Sequence, residues 1–471
     1  MSIAWWIWLL LGIVWVSTAA VTILLQRRSA AATIAWLLVL VLLPVIGLLI
    51  YRLIGPLRLE RKRLRRRGGR VVVEEATGAM ARIRAEAAEE AQVAAVPLAL
   101  DGAPPLPATD VALFLDGRAA YASIVEAIEA ATHHVHLEYY IWEPDGIGTR
   151  LRDALVARAR AGVKVRMLVD GTGSAALRRR WLRPLRDAGV EVAWFNPVSL
   201  RFIRTRRVDF RTHRKIVICD GHVAFTGGMN ITDAHSDEFG PGYWRDTHLR
   251  VDGTAVWALQ RVFLEDWYFA AGAQVATDDT YFPLHPGERR YPVQIVASGP
   301  DHDRLAIHRT YFTAITRASH RLWITTPYFV PDDAILTALI TAALRGVDVQ
   351  LLIPARGDSR LIDLAARSYV PELVAAGVRV HEYLPRFIHA KTFVIDEDLT
   401  IVGTANLDNR SFQLNFEVTA LVYDADVTTR LARAFEDDLR DSRPIDDAAI
   451  ARKRFPRRLG EATARLLSPL L

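Results

Sequence analysis

The hydrophobic pattern separates the chain into two unlike parts. Residues 3–25 and 30–51 are apolar and carry no charge. Each is long enough to cross a bilayer as a helix, which takes about 20 residues. Trp5, Trp6, Trp8, Trp36 and Tyr51 lie mostly toward the ends of these stretches, where interfacial anchors sit. No basic segment precedes the first stretch and a second follows at once, which argues against a cleaved leader. Pro44 is tolerable within a membrane helix. Residues 71–96 are rich in Ala and Glu and predict a connecting helix ending at Pro97, and GAPPLP at 102–107 reads as a linker. From about residue 108, helical and strand patterns alternate, which predicts an α/β architecture. A helix at 119–131 leads into a strand at 135–142, and a helix at 147–161 into a strand at 163–170.

The scheme then returns: helix 304–318, strand 321–330, helix 333–345, strand 347–354, segment 362–376 and strand 378–384. Gly162 and Gly346 stand at matching helix ends (ARAGVKV, ALRGVDV), where C-terminal glycines belong. The repeat therefore covers whole domains, 108–280 and 281–471, with the boundary in the Asp-, Pro- and Gly-rich stretch 276–290. They follow a membrane part, 1–55, and a basic juxtamembrane segment with a helical linker, 56–107.

One motif is written twice. Residues 213–230 read HRKIVICDGHVAFTGGMN and residues 389–406 read HAKTFVIDEDLTIVGTAN; both fit H-x-K-x4-D-x6-G-x2-N, 176 residues apart. Side chains two apart on a strand share a face, so His213 with Lys215, and His389 with Lys391, should project together from a strand end. A Lys ammonium suits a phosphate oxygen as a compact cation, and a His can serve as nucleophile or as general acid and base. Asn230 and Asn406 add neutral donors where negative charge develops on phosphorus. Asp220 and Asp396, the acids of the motif, fall where the strand turns back and read as turn-forming residues. Past each motif an acid stands in an apolar run: Asp246 in YWRDTHL and Glu417 in NFEVTAL. Such a carboxylate can fix the tautomer of a catalytic His; a solvated strand acid is the alternative.

Other candidates read more plainly. His133, His134 and His136 sit at a helix-to-strand junction without a metal-ligand pattern. Gly171-Thr172-Gly173 mimics a phosphate loop but lacks the full glycine-lysine signature, so an ordinary turn is favoured. Cys219 lies within a strand and reads as a small buried hydrophobe. No spacing along the chain suggests metal ligands.

Composition narrows the class. At 471 residues the chain allows two or three domains, and its single Cys excludes an intramolecular disulfide framework. Of 59 basic residues only five are Lys, yet Lys occupies both equivalent motif positions. The net charge of +6 is concentrated at Arg52, Arg58, Arg61, Lys62, Arg63, Arg65, Arg66, Arg67 and Arg70, whereas the turn between the apolar stretches has only Arg27 and Arg28. The positive-inside rule puts everything after residue 52 in the cytoplasm, with the basic run against anionic headgroups. A nucleic-acid partner is disfavoured, because no aromatic-rich binding module accompanies the charge. The C-terminal stretch 452–471 is basic and then apolar, and its leucines are expected to pack on the second domain.

The paired motif resembles the phospholipase D superfamily, in which each half gives one His-Lys-Asn set to a single phosphodiester site. FTGGMNITD (225–233), YWRDTHLRVDG (243–253), TPYFVPDD (326–333) and GTANLDNRSFQLNFE (403–417) resemble the bacterial cardiolipin synthase family in particular. Gly228 stands where a Ser is common, opposite Thr404, and Arg386 where a Gly is usual. The resemblance implies two tandem phospholipase D-like α/β domains forming one pseudo-twofold site behind two transmembrane helices. It further implies a multi-pass cell-membrane phosphatidyltransferase joining two phosphatidylglycerols into cardiolipin through a phosphatidyl-histidine, without metal or other cofactor. His213 is then the nucleophile, His389 the acid and base, and Asp246 and Glu417 the residues that orient them. Hydrolysis to phosphatidic acid, or transfer with another donor or alcohol, uses the same motifs. Oligomeric state is not legible.

Overall fold

A computed structural model describes residues 3–25, 30–43, 46–47, 51, 92–100, 102–197 and 210–470, apart from 274, 276–278, 284, 286–290 and 302–304. The basic run at 52–70, most of the connecting helix at 71–96 and most of the boundary stretch 276–290 lie outside the described residues. The chain divides into two units, an N-terminal one and a main one spanning 63–196 and 211–471.

In the N-terminal unit, Ile3–Leu24 and Ala30–Leu42 are helices of 22 and 13 residues. Many side chains of the first lie outside the described residues. Among the described residues no helix is long and apolar enough to cross a membrane, so the two predicted spans are not seen here. The second helix is described from Ala30 to Leu42; of the rest of the stretch to 51, residues 46, 47 and 51 are helical, and 44, 45 and 48–50 lie outside the described residues.

Beside a two-stranded pairing of Phe329–Val330 with Leu407–Asp408, the main unit holds two large sheets of matching order. In the first, the strands run Asp110–Phe114, His248–Asp252, Val223–Gly227, Lys215–Cys219, His134–Tyr139, Lys164–Asp170 and Glu191–Phe195. In the second, Tyr291–Ser298, Asn415–Tyr423, Leu399–Gly403, Thr392–Ile395, Arg321–Thr325, Asp348–Pro354 and Arg379–Tyr383 take the equivalent places, with Leu106–Ala108 and Ser442–Ile445 at the edges. Each sheet pairs its motif strand antiparallel to the first of three parallel strands, in registers such as Tyr139↔Lys215 and Thr325↔Thr392. Those parallel strands are joined by helices, as parallel strands must be.

The predicted helices appear at Gly117–Ala130, Gly146–Arg160, Ala306–Arg317, Asp333–Leu344 and Arg360–Ala375. Asp116, Asp145, Asp332 and Ser359 cap four of them by accepting from the third residue of the turn.

Four expectations are corrected. The strands predicted to run to 142 and 330 leave their sheets at Tyr139 and Thr325, where the chain turns toward the site, and Phe329–Val330 returns as a separate short strand beside Leu407–Asp408. Pro97 sits inside the helix Gln92–Ala99 rather than beyond it, and the helix ends two residues later, as a proline with no N–H to donate favours. The 102–107 linker ends in the strand Leu106–Ala108, paired with Tyr291–Val293. The C-terminal helix Phe455–Leu466 packs through Ala464, while Phe455, Leu459 and Leu466 are exposed, because Arg-rich turns give the helix a narrow apolar face.

The halves exchange short backbone pairings. Arg211–Thr212 lies parallel beside Asn415–Phe416, and His213 N–H donates to Phe416 O at 2.8 Å. Equivalently, Arg245 bridges to Ile388, and His389 N–H donates to Arg245 O at 2.7 Å. The Arg245 guanidinium is buried on Asp438 through bonds of 3.0 and 2.8 Å. Asp438→Ala strands that charge and should lower unfolding stability by about 3–5 kcal/mol, read by chemical denaturation; an unchanged midpoint would mean the pair contributes nothing.

Candidate active site

His213 and Lys215 arrive at the head of the strand Lys215–Cys219, and His389 and Lys391 immediately before Thr392–Ile395. None of the four is more than 8% exposed. The spacing of two lets each ammonium turn back on its own motif: Lys215 Nζ donates to His213 O at 2.7 Å, and Lys391 Nζ donates to His389 O. The loops after the two shortened strands, and those leading into His248 and His389, supply aromatic walls. The Tyr140 ring lies 5.1 Å from His213, and Trp244, Phe387 and Tyr328 lie 5.3, 5.7 and 6.5 Å from His389.

The acids cross over between halves. His213 Nδ1 lies 3.0 Å from both carboxylate oxygens of Glu417, and His389 Nδ1 lies 2.7 Å from Asp246 Oδ2. The exchanged backbone pairings explain this, since each motif His lies beside the segment that carries the other half's acid. Both carboxylates are fully buried. An ionised carboxylate can only accept, so each Nδ1 carries the proton and each Nε2 presents a lone pair.

Several contributing residues carried no legible signal in the chain. Thr404 Oγ1 and Asn415 Nδ2 also donate to Glu417. Arg214, buried between His213 and Lys215, donates to Glu417 O and Ser298 O and pairs with Asp266. Its place as the unspecified residue of H-x-K hides it. Gly228 departs from the resembled pattern for a steric reason: a Cβ there would collide with the Asp246 carboxylate. Arg386, the other departure, stacks on Tyr243 at 4.1 Å.

Asn230 and Asn406 are buried, with Asn230 Oδ1 accepting from Ile141 N–H at 3.3 Å and Asn406 Oδ1 without a partner among the described residues. Asp220 and Asp396 lie at the far ends of the motif strands, both at positive φ (54° and 47°). Asp220 accepts from the backbone of Thr132, His133 and His134, and Asp396 from Ser319, His320 and Arg321. They fasten each motif strand to its neighbour. Burial pushes their pKa values up, but these donors win and hold them below the ordinary value.

The remaining candidates sit elsewhere. His134 and His136 are bridged by Gln260 in the core at 3.0 and 2.9 Å. The Thr172 and Gly173 amides are taken by Asp170 Oδ1, leaving neither for a phosphate. Cys219 is buried. Spacing along the chain had suggested no metal ligands, but folding brings His235, Asp246 and His389 together, with donor atoms within 4.8 Å of one another.

Burial sets the charges. Desolvation pushes His213 down to about 4 against the pull of Glu417, and pushes His389 well below its ordinary value, with Lys391 and Lys215 adding to the effect. Desolvation also lowers Lys215 to about 7 and Lys391 to about 8, against Glu417 and Asp246. For Glu417 burial acts upward, but His213 and Lys215 hold it below the ordinary value. Near neutral pH both imidazoles are therefore uncharged, with Nε2 able to attack or accept a proton.

The comparisons give the family and the fold. A family model described as cardiolipin synthase, PLD-like domain, matches residues 124–239 and 311–439, and one described as phospholipase D-nuclease N-terminal matches 4–56. A cardiolipin synthase of Geobacillus thermodenitrificans is 41% identical over 96% of this chain and 91% of its own. Cardiolipin synthase 1 of Bacillus anthracis is 38% identical over 98% and 94%. The crystal structure of phosphatidylserine synthase from Haemophilus influenzae Rd KW20 superposes with a TM-score of 0.60 at 14% identity, covering 81% of this chain and all of that one, which shows a shared fold.

Two outcomes follow. Glu417→Gln and Asp246→Asn should each cut kcat by roughly 10²–10⁴-fold with the melting temperature little changed; near-native kcat in either would make that carboxylate structural. The lysines are charged below their pKa values and lose that charge as pH rises, so kcat/KM should fall through about 7 to 8. A profile flat across that window would exclude them as phosphate-binding cations.

Proposed function

The chain belongs to the cardiolipin synthase family, and from that premise we propose that it transfers a phosphatidyl group between two phosphatidylglycerols. The crossed His–carboxylate pairs carry the reading, because they orient two imidazoles, each with its motif lysine turned back beside it. His213 Nε2 attacks phosphorus, the P–O bond to the departing glycerol breaks, and His389 gives that oxygen its proton. An entering anionic phosphodiester raises the pKa of the imidazole beside it, which allows His389 to hold that proton. The phosphatidyl group then rests on His213. The headgroup hydroxyl of the second phosphatidylglycerol gives its proton to His389 and attacks phosphorus; the P–N bond breaks and cardiolipin leaves. Lys215, Lys391, Asn230 and Asn406 hold the phosphoryl oxygens through both steps. His213 is assigned as nucleophile on the superfamily resemblance.

The membrane arrangement belongs to the same proposal. The apolar stretches 3–25 and 30–51 span the bilayer, and the basic run after residue 52 faces the cytoplasm with the two phospholipase D-like domains. The match of residues 4–56 to the N-terminal family model supports this. Domain limits of 108–280 and 281–471 are supported by the two matched segments and the two sheets. Membrane phospholipids are the partners.

Detergent-purified chain given labelled phosphatidylglycerol and a chelator should yield cardiolipin and free glycerol, whereas phosphatidic acid as main product would move the function to hydrolysis. His213→Ala and His389→Ala should each abolish turnover, and substantial activity in either would break the two-histidine scheme. Lys215→Arg should also be damaging, since a planar fork does not replace a compact cation.

A further inference from the structure

His235 has no part in the reaction above, yet it is fully buried beside it. It ends the short turn Asp233–His235, with its ring 5.5 Å from His389 and 5.0 Å from Trp244. Neither ring nitrogen has a hydrogen-bond partner among the described residues. Its Nδ1 lies 3.5 Å from Asp246 Oδ2, too long for a good bond, and that same oxygen accepts from His389 Nδ1 at 2.7 Å. Buried polar atoms are ordinarily paired, so an imidazole with two idle nitrogens, one of them facing a carboxylate already bound to His389, needs an explanation. The equivalent acid in the other half shows the contrast. Glu417 is surrounded by His213, Thr404 and Asn415, none of which leaves a second imidazole at the carboxylate.

We propose that His235, Asp246 and His389 form a binding site for zinc or a similar borderline divalent cation, and that the bound ion switches the enzyme off. Two imidazole nitrogens and one carboxylate oxygen, with a fourth position open, are a donor set suited to zinc. Tetrahedral zinc with bonds of about 2.0–2.1 Å places its ligands roughly 3.3 Å apart, a value bracketed by the 2.7 and 3.5 Å contacts already present. The cation enters beside Lys215 and Lys391, but Asp246 and Glu417 balance their charge. Hard cations such as magnesium prefer an all-oxygen shell and fit the two nitrogens poorly.

Inhibition follows from the tautomer. In the working enzyme the His389 proton is on Nδ1, given to Asp246, and Nε2 holds the lone pair. A metal on Nδ1 displaces that proton to Nε2 and takes the carboxylate for itself. No proton leaves the ring, but Nε2 loses its lone pair and cannot accept the proton of the incoming hydroxyl.

The inhibition rests on the proposed transfer reaction, whereas metal binding does not, so both are measured. Cobalt titrated into the chelator-treated, detergent-purified full chain should give the visible absorption of a tetrahedral site at one equivalent. Zinc should displace it, and His235→Phe and Asp246→Asn should each lose it. With labelled phosphatidylglycerol, zinc should inhibit and chelator restore turnover, while magnesium has no effect. His235→Phe, scored against its own uninhibited rate, should need about tenfold or more zinc. Absence of the cobalt band in the wild-type chain overturns the proposal, as does its persistence in Asp246→Asn or equal zinc inhibition of the wild type and His235→Phe. Because Asp246→Asn tests the site by itself, a His235→Phe chain that fails to fold leaves the answer intact.

Discussion

The exchange of acids between the halves is the constraint on which the site depends. Neither half can orient its own histidine: Glu417 holds His213 and Asp246 holds His389. The backbone makes the same exchange, with His213 hung on Phe416 O and His389 on Arg245 O. A carboxylate buried without a partner is costly, so each acid finds its compensation only when both halves are folded and docked. Folding of the interface and assembly of the catalytic groups are thus one event. Arg214 and Arg245 add to this, each spending its buried guanidinium on groups that lie across from its own strand.

The same burial tunes the chemistry. Removing four cationic or imidazole groups from water disfavours their charged forms, leaving imidazoles neutral and lysines that titrate near physiological pH. An anionic phosphodiester supplies the missing negative charge and so draws protons to the site as it binds. Tyr140 and Trp244 set their rings beside the two histidines where that exchange takes place. Symmetry is incomplete where the acids sit. Glu417 has Thr404 and Asn415 around it, whereas Asp246 fills the space that Gly228 leaves and gives one oxygen to His389, with a second imidazole, His235, 3.5 Å from the same oxygen.

Much of the architecture follows from local rules that a sequence displays. The alternation of patterns marks most of the helices and parallel strands in both halves to within a few residues, because amphipathic period depends on near neighbours. The motif strands declare themselves as β-branched apolar runs, with Asp220 and Asp396 at the turns that close them. The break at Thr325 has a local signal in Pro327, which cannot donate to a ladder. The strand end at Tyr139 was not legible, since YYIW remains good strand sequence and what stops it is the path the chain must take into the site. The strand at 106–108 was hidden for a similar reason, its partner lying almost two hundred residues away.

The sequence by itself determined the duplication, the His-Lys-Asn sets, the chemistry those residue types favour, and the presence of one acid after each motif. Only the tertiary structure decided which acid serves which histidine, that Arg214 and Thr404 complete the Glu417 pocket, and that His235 stands against Asp246. The physical reason is that motif spacing records geometry along one strand, whereas hydrogen-bond partners are chosen by where strands of different halves meet, across separations of 143 and 204 residues.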